Sequence, residues 1–245
     1  MCTALSFTTR DHYFGRNLDL HCSCGEQVCI APRNFPWEFR RMGRRENHYA
    51  MIGMAMMAGQ VPLYFDAVNE KGLCAAGLNF PGNAFYHPEK EGRDNVAPFE
   101  FIPWVLSQYA TVAEAREAFQ KLNLVDIPFS SGLPLSPLHW IVSDRESSLV
   151  VESTADGLSV YENPARVLTN NPPFPYHLFN LNNYRALSAV NPQTRFSDDL
   201  KLEEYCQGLG GLGLPGDLSS MSRFVRIAFH GENAVCGEDE NSVSA

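Results

Sequence analysis

The hydrophobic pattern in the first third of the chain is typical of short β-strands. Apolar residues alternate with polar ones or form runs too short for most helices. Turn-forming residues such as Gly25, Gly59 and Gly72 separate several of these runs. The pattern predicts strands over Thr3–Thr8, Tyr13–Asp19, Gln27–Ala31, Ala50–Ala55, Leu63–Val68 and Leu73–Asn79.

The next segment changes from the strand period to the helical one. The spacing of apolar residues predicts a buried helix over Phe99–Tyr109 and a second helix over Val112–Leu122. The second helix is preceded by Thr111-x-x-Glu114, a capping box in which each side chain binds an otherwise unpaired backbone amide. A proline-rich loop follows at Ile127–Pro137.

A second block of strands follows that loop, and helices come after it. The predicted strands are Leu138–Ser143, Ser148–Glu152, Leu158–Tyr161 and Arg166–Thr169. A helical pattern covers Tyr176–Ala186, and a glycine-rich loop at Gly208–Gly216 leads to a last helix over Ser219–Phe229. This order favours an α+β fold with mainly antiparallel sheets. No linker interrupts it, so we expect one domain over residues 1–245, and the acidic tail Gly231–Ala245 predicts no closing element.

The composition indicates a globular protein that does not bind nucleic acid. Of its 245 residues 44% are hydrophobic and 19% charged, and the net charge is −9. One short basic cluster precedes Glu46, which is typical of a solvated surface; it comprises Arg40, Arg41, Arg44 and Arg45. No apolar run is long enough to cross a membrane, and the start MCTALSFTTRD does not resemble a secretory signal. We therefore expect a cytoplasmic location.

The cysteines direct attention to the N-terminus. Seven cysteines without a secretory signal argue against a disulfide framework and for free or catalytic thiols. Cys2 follows Met1 and is small enough for Met1 to be removed, which leaves a thiol and a free α-amine on one residue. An α-amine has an ordinary pKa of about 7.7–8.0, so it can serve as general base for the thiol. A cysteine at this position with no role is the alternative.

The second predicted strand adds a cation to this picture. Arg16 and Asp19 lie three residues apart in GRNLD, and pairing of the first two strands in a hairpin would bring Arg16 towards Cys2. A guanidinium there favours the thiolate. In an ideal strand Asp19 points to the opposite face, and a surface ion pair between Arg16 and Asp19 is the alternative.

Seven blocks of sequence, in order, resemble one known family. They are MCTALSF, GRNLD, PRNF, NEKGLCAAGLNFPG, LHWIVSD, VLTNNP and GLPGDLSSMSRFVRIAF. Together they are similar to the choloylglycine hydrolases, which comprise bile salt hydrolases and penicillin V acylases among the N-terminal nucleophile hydrolases. The resemblance implies a four-layer αββα sandwich, hydrolysis of linear amides without a cofactor or metal, and assembly as a homotetramer. Relatives continue beyond the SRF helix, so it also implies that C-terminal strands of the sandwich are missing from this chain.

The same resemblance implies a role for each matching residue. Cys2 matches the nucleophile, Arg16 the arginine beside the thiol, and Asp19 the aspartate that binds the α-amine. Asn79 and Asn170 match residues expected to bind the oxyanion and orient the substrate. The arginine of the SRF motif, expected to hold the charge network of the site, matches Arg223.

The resemblance favours conjugated bile salts as substrates, cut at the amide to glycine or taurine. Asn79 and its flanking sequence are closer to the bile salt branch than to the penicillin V acylases, which often carry tyrosine there. Residues matching an apolar steroid cleft are Leu18, Phe65, Phe129, Leu133 and Leu138, each equally compatible with a plain core. Penicillin V acylase and N-acyl homoserine lactone acylase activities are the alternatives within the family. A truncated, non-catalytic steroid-binding protein is the alternative outside it.

Three weaker signals favour structural interpretations. The pattern Gly208-x-Gly210-x-x-Gly213 fits a dinucleotide fingerprint, but no predicted strand precedes it. The spacing of His21 and its neighbouring cysteines matches no zinc template. His139 alternates with apolar residues, which is typical of a buried structural histidine.

Overall fold

The computed structural model describes residues 1–237 as an α+β fold with most of its strands in two sheets. The fourteen strands are β1 Cys2–Thr8, β2 His12–Leu18, β3 Gln27–Ala31, β4 Trp37–Phe39, β5 Gly43–Arg45, β6 Met51–Ala58, β7 Val61–Asn69, β8 Cys74–Asn79, β9 Asp94–Val96, β10 Leu122–Leu124, β11 Leu138–Ser143, β12 Ser148–Thr154, β13 Gly157–Glu162 and β14 Val167–Leu168. The α-helices are α1 Phe101–Gln108, α2 Val112–Phe119, α3 Phe174–Leu181 and α4 Ser220–Asn233, and 3₁₀ turns cover Pro98–Glu100, Asn182–Tyr184 and Leu209–Gly211.

The larger sheet has seven antiparallel strands in the order β13-β12-β11-β8-β7-β6-β3. Successive side chains of a strand point to opposite faces, so each central strand contributes to two cores. Trp140 and Val142 of β11 pack towards α1 and α2, against Trp104 and Phe101. Ile141, between them in the chain, packs on the opposite side.

The smaller sheet lies on that opposite side and consists of β14, β1 and β2 in this order. Ala4 of β1 packs with Ala76 and Leu78 of the larger sheet, while Phe174 of α3 and Phe224 of α4 join the same core. The layers are therefore α1 and α2, the larger sheet, the smaller sheet, and α3 with α4. This order is the αββα sandwich that the resemblance implies.

Several predicted boundaries differ from the observed ones for local reasons. Helix α2 ends at Phe119, and Leu122 already belongs to β10, whose short parallel ladder with β9 leaves no periodicity in the sequence. Thr111 caps α2 as expected, but Glu114 binds the amide of Ala110 instead of that of Thr111. Arg166 has a φ of 54°, so β14 begins one residue later than predicted.

The predicted extents of the last helices are also corrected. Helix α3 begins at Phe174, directly after Pro173, and it ends at Leu181 before a 3₁₀ turn. Helix α4 continues to Asn233, so the tail beginning at Gly231 was predicted too long by three residues. Residues 234–237 form no helix or strand, and the remainder of the predicted tail lies outside the described residues.

One end of the sandwich is incompletely covered by residues 1–237. Strand β2 has a partner on one side only, and β3 is the edge strand of the larger sheet. Val28, Ile30 and Ile52 lie near that edge with exposed fractions of 64%, 69% and 44%. Ile30 is paired directly with Ile52, so the three side chains form one apolar surface. None of the helices described here is both long and apolar enough to cross a membrane.

Candidate active site

Cys2 is the first residue of β1, and the β1–β2 hairpin determines its surroundings. The register pairs Cys2 with Leu18 and Ala4 with Arg16. Arg16 therefore lies on the strand next to Cys2, and its Nη2 donates to Sγ over 3.1 Å. The thiol is buried, with 4% of the residue exposed. The β1–β2 hairpin thus brings Arg16 next to Cys2, as the sequence predicted.

Arg16 is held in place by β7, and this contact was not predicted from the sequence. Its Nη1 donates to the carbonyl oxygen of Phe65 over 2.9 Å and lies 3.6 Å from Oδ2 of Asp66. Burial raises the pKa of Asp66, although the Arg16 charge opposes that shift. Gly53 allows this arrangement, because a Cβ there would lie 2.0 Å from the Asp66 carbonyl oxygen. A carboxylate within the apolar run of β7 was the signal that could have indicated Asp66.

Asn170 connects Cys2 with two other predicted residues. Its Oδ1 accepts hydrogen bonds from the Cys2 backbone amide and from Nη2 of Arg223, each over 2.9 Å. Its Nδ2 donates to the Asn79 carbonyl oxygen over 2.8 Å. Arg223 also donates to the Cys2 carbonyl oxygen and to Oγ1 of Thr3. Both hydrogen-bonding atoms of the Asn170 side chain are therefore occupied, which fixes its orientation.

Asp19 follows the end of β2 and lies beside the amine of Met1. The Met1 ammonium donates to the Asp19 carbonyl oxygen over 2.8 Å and lies 3.4 Å from its Oδ2. The Met1 and Asp19 side chains are both more than half exposed. In this form of the chain the amine near Asp19 is that of Met1, while the amide of Cys2 contacts Asn170.

A cavity of about 340 Å³ opens above the thiol. Its lining includes Cys2, Arg16, Asp19 and Asn79, together with the five predicted steroid-cleft residues Leu18, Phe65, Phe129, Leu133 and Leu138. The lining also includes residues not predicted from the sequence, among them Leu20, His21, Met56, Leu63, Tyr64, Phe99, Pro134, Leu135 and Trp140. Two clefts of about 440 and 520 Å³ lie elsewhere, and charged side chains make up much of their lining. The cavity at Cys2 combines an apolar wall with a nucleophile.

The apolar wall of the cavity is anchored to the rest of the fold. Arg40 donates to the Phe129 carbonyl oxygen over 2.7 Å, and its guanidinium lies 5.7 Å from the Phe129 ring centre. Phe99 packs edge-on against the same ring. The hydroxyl of Tyr86 donates to the Ser136 carbonyl oxygen and accepts from the Leu138 amide. The proline-rich loop is therefore tied at both ends.

The other cysteines differ from Cys2 in their surroundings. Cys74 is buried, and burial raises the pKa of its thiol to about 12. Cys29 contacts the sulfur of Met57, while Cys22 and Cys24 are exposed. The described part of the chain contains no group of three or more His, Cys, Asp or Glu residues that could hold a metal ion. Arg16 therefore contacts the one thiol that also lines the apolar cavity.

The glycine-rich segment near residue 210 has a packing role. Gly210 lies in the 3₁₀ turn Leu209–Gly211, and a Cβ there would lie 2.3 Å from the Val190 carbonyl oxygen. Close approach of two backbones explains this glycine without a nucleotide.

Comparison with known proteins shows similarity to one enzyme family over nearly the whole chain. A sequence profile of linear amide C–N hydrolases, choloylglycine hydrolase family, matches residues 2–244. The bile salt hydrolase/transferase of Lactiplantibacillus plantarum is 54% identical over 241 residues, which cover 98% of this chain and 74% of that protein. The bile salt hydrolase/transferase of Clostridium perfringens is 40% identical and is matched over 99% of this chain and 75% of that protein.

Solved structures are similar to this chain in fold. A crystal structure of a variant of conjugated bile acid hydrolase from Clostridium perfringens has a TM-score of 0.85 at 40% identity, covering 94% of this chain and 72% of that one. Penicillin V acylase from Agrobacterium tumefaciens has a TM-score of 0.74 at 21% identity, covering 99% and 68%, a likeness of fold alone. The profile match over residues 2–244 and the 54% identity to a relative establish the family of this chain. The chain belongs to the choloylglycine hydrolase family of linear amide C–N hydrolases.

Proposed function

We propose that this protein hydrolyses the amide bond of glycine- or taurine-conjugated bile salts, with Cys2 as the nucleophile. The observation that carries the proposal is the contact of 3.1 Å between Arg16 Nη2 and the Cys2 thiol, beside an apolar cavity. The names of the relatives from Lactiplantibacillus and Clostridium support bile salts as the substrate class.

Removal of Met1 precedes the reaction and frees the α-amine of Cys2. The amine takes the thiol proton, and the sulfur attacks the carbonyl carbon of the substrate. The C–N bond then breaks as the leaving amine takes up that proton, and the acyl group remains on Cys2 as a thioester. Water attacks the thioester with the same amine as base, which releases the bile acid and restores the thiol.

The other predicted residues have distinct parts in this proposal. Arg16 stabilises the thiolate by its charge, because the thiol is removed from water. Asn79 lines the cavity beside Cys2 and provides a side-chain amide for the oxyanion. Asn170 and Arg223 orient the backbone of Cys2, since both contact it directly. Asp19 binds the α-amine after processing, as it binds that of Met1 in the unprocessed chain.

Substrate preference follows from the shape and polarity of the cavity. We expect kcat/KM for taurocholate or glycocholate to exceed that for penicillin V by at least about tenfold, because the steroid covers more of the apolar wall than a phenoxymethyl group does. Steady-state kinetics with the three substrates on one preparation measures this ratio. Equal or reversed values would assign the protein to the penicillin V acylase branch. The same assay with an N-acyl homoserine lactone tests the other alternative within the family.

The sandwich is proposed to be a single domain that needs further strands beside β2. The support is the unpaired edge of β2 and the exposed surface of Val28, Ile30 and Ile52. Each large apolar side chain left in water forgoes up to about 1.5–3 kcal/mol of burial, against a total stability of about 5–15 kcal/mol. Long unpaired edges also promote aggregation.

We therefore expect the 245-residue chain to be less soluble and to melt lower than a chain extended with the C-terminal segment of a relative. Soluble yield, thermal melting and bile salt turnover of the two proteins measure the difference. Ile30→Thr with Ile52→Thr should raise the yield of the shorter chain and have little effect on the extended one. A monodisperse, fully active shorter chain would show that no further strand is needed.

Assembly as a homotetramer and a cytoplasmic location complete the proposal. Both follow from the resemblance to the family. Sedimentation of the purified protein and fractionation of the producing cells test them.

A further inference from the structure

His139 and Glu152 form a buried pair outside the catalytic cavity. They lie on the neighbouring strands β11 and β12, and their side chains have exposed fractions of 0% and 1%. Nδ1 of His139 lies 2.9 Å from Oε1 of Glu152. The Phe80 ring stacks on the imidazole with 4.3 Å between the ring centres, so the pair is shielded from water.

When Glu152 is ionised, both ring nitrogens of His139 face oxygen atoms that only accept hydrogen bonds. Nδ1 faces the Glu152 carboxylate, and Nε2 lies 2.9 Å from the carbonyl oxygen of Thr169. A neutral imidazole carries one N–H and could satisfy one of these acceptors, whereas an imidazolium satisfies both. Glu152 also accepts from the Phe174 amide, so its negative charge has further support.

The carbonyl group that His139 binds belongs to the residue before Asn170. The Asn170 amide donates to Oγ of Ser220 over 2.8 Å, and its carbonyl oxygen accepts from Nε2 of His177 over 2.9 Å. Burial lowers the pKa of His177, and its unpartnered Nδ1 agrees with a neutral ring that donates through Nε2. The backbone on both sides of Asn170 is thus held by the buried side chains of His139 and His177 and by Ser220 of α4.

We propose that His139 is a positioning residue: as an imidazolium paired with Glu152, it holds the Thr169–Asn170 backbone so that the Asn170 side chain meets Cys2 and Arg223. The inference rests on the proposed function, because it assigns Asn170 the task of orienting Cys2. Small displacements of orienting groups reduce catalytic rates strongly, by up to about 10²-fold for 1 Å. A single buried ion pair thereby acts on a site that it does not touch.

Two substitutions separate the two hydrogen bonds of His139. The amide nitrogen of glutamine in His139→Gln can occupy the place of Nε2 and keep the bond to Thr169. The shorter asparagine in His139→Asn can occupy the place of Nδ1 and keep the bond to Glu152 only. Val151→Ala is the matched control for lost stability, since Val151 precedes Glu152 and packs in the opposite core.

The expected result is a difference between the two variants at similar melting temperatures. Per folded molecule, His139→Asn should lose about 10-fold or more in kcat with a smaller change in KM, and His139→Gln should lose clearly less. Val151→Ala should melt lower without a loss in kcat. Equal losses in both histidine variants, or losses that follow the melting temperature across all three, would overturn the proposal.

Two further measurements test the role of His139 without bile salt turnover. The rate of Cys2 alkylation by iodoacetamide, followed on the N-terminal peptide by mass spectrometry, should change in His139→Asn more than in His139→Gln. Nitrogen-15 spectra of histidine-labelled wild-type protein should show one buried ring with both nitrogens protonated at neutral pH. A neutral ring at His139 would refute the inference even if neither variant folds, and a wild-type protein inactive on bile salts would refute the proposed function alone.

Discussion

Replacement of Cys2 by alanine is expected to lower amide hydrolysis by about 10⁴-fold or more while leaving the fold intact. The loss is large because the substitution removes the atom that forms the thioester. The fold should persist because the Cys2 thiol contributes one hydrogen bond, from Arg16, and occupies little of the core. Turnover of a conjugated bile salt and thermal melting, measured on the same preparation, test both parts. Cys2→Ser should retain little activity, since a hydroxyl is a poorer nucleophile at neutral pH.

Cys74→Ala provides the matched control for loss of a buried thiol. Cys74 lies on β8 at a comparable depth, but its raised pKa keeps it protonated, and it does not line the cavity. The variant should therefore melt lower and keep its kcat. Intact-mass measurement of the active enzyme should show that Met1 is absent. Turnover by Cys2→Ala, or an active enzyme that retains Met1, would rule out the N-terminal nucleophile.

The contact of Arg16 with Cys2 could be inferred from sequence because it depends on one local hairpin. Two apolar runs separated by a short turn pair in a definable register, and the register fixes which side chains are neighbours. The capping of α2 by Thr111 is predictable for the same reason. The strands of the larger sheet were placed by their period, and their ends shifted by a few residues at most.

The contacts of the site that join distant segments could not be inferred in this way. Asp66 approaches Arg16 because the register of β6 and β7 shifts between Met54 and Ala55, and nothing in the local sequence indicates that irregularity. Likewise Asn170 meets Cys2 across 168 positions of the chain, through packing of β14 and α4 on β1. The resemblance to the family predicted that Asn170 belongs to the site, but it did not predict that its side chain binds the Cys2 amide.

Replacement of Arg16 by methionine is expected to lower kcat/KM by about 10²-fold or more, the range for removal of one preorganised electrostatic contact. Methionine fills much of the same space but provides no charge for the thiolate. Alkylation of Cys2 at neutral pH should therefore be slower, and mass spectrometry of the N-terminal peptide measures its rate. Arg16→Lys should recover part of the rate, because one ammonium cannot serve the thiol and the Phe65 carbonyl oxygen as the guanidinium does.

The same substitution should give the protein a pH-dependent stability that identifies Asp66 as the partner of Arg16. Burial already raises the pKa of Asp66, and loss of the opposing Arg16 charge should raise it further. A carboxyl whose pKa is raised by folding stabilises the folded state while it is protonated, and this stability is lost as the pH rises through that pKa. Relative to wild type, Arg16→Met should therefore be destabilised more at about pH 7.5 than at about pH 4.5, just above the usual carboxyl pKa. Adding Asp66→Asn to Arg16→Met should remove this difference. If the melting temperature has the same pH dependence in Arg16→Met with and without Asp66, the carboxylate does not depend on Arg16.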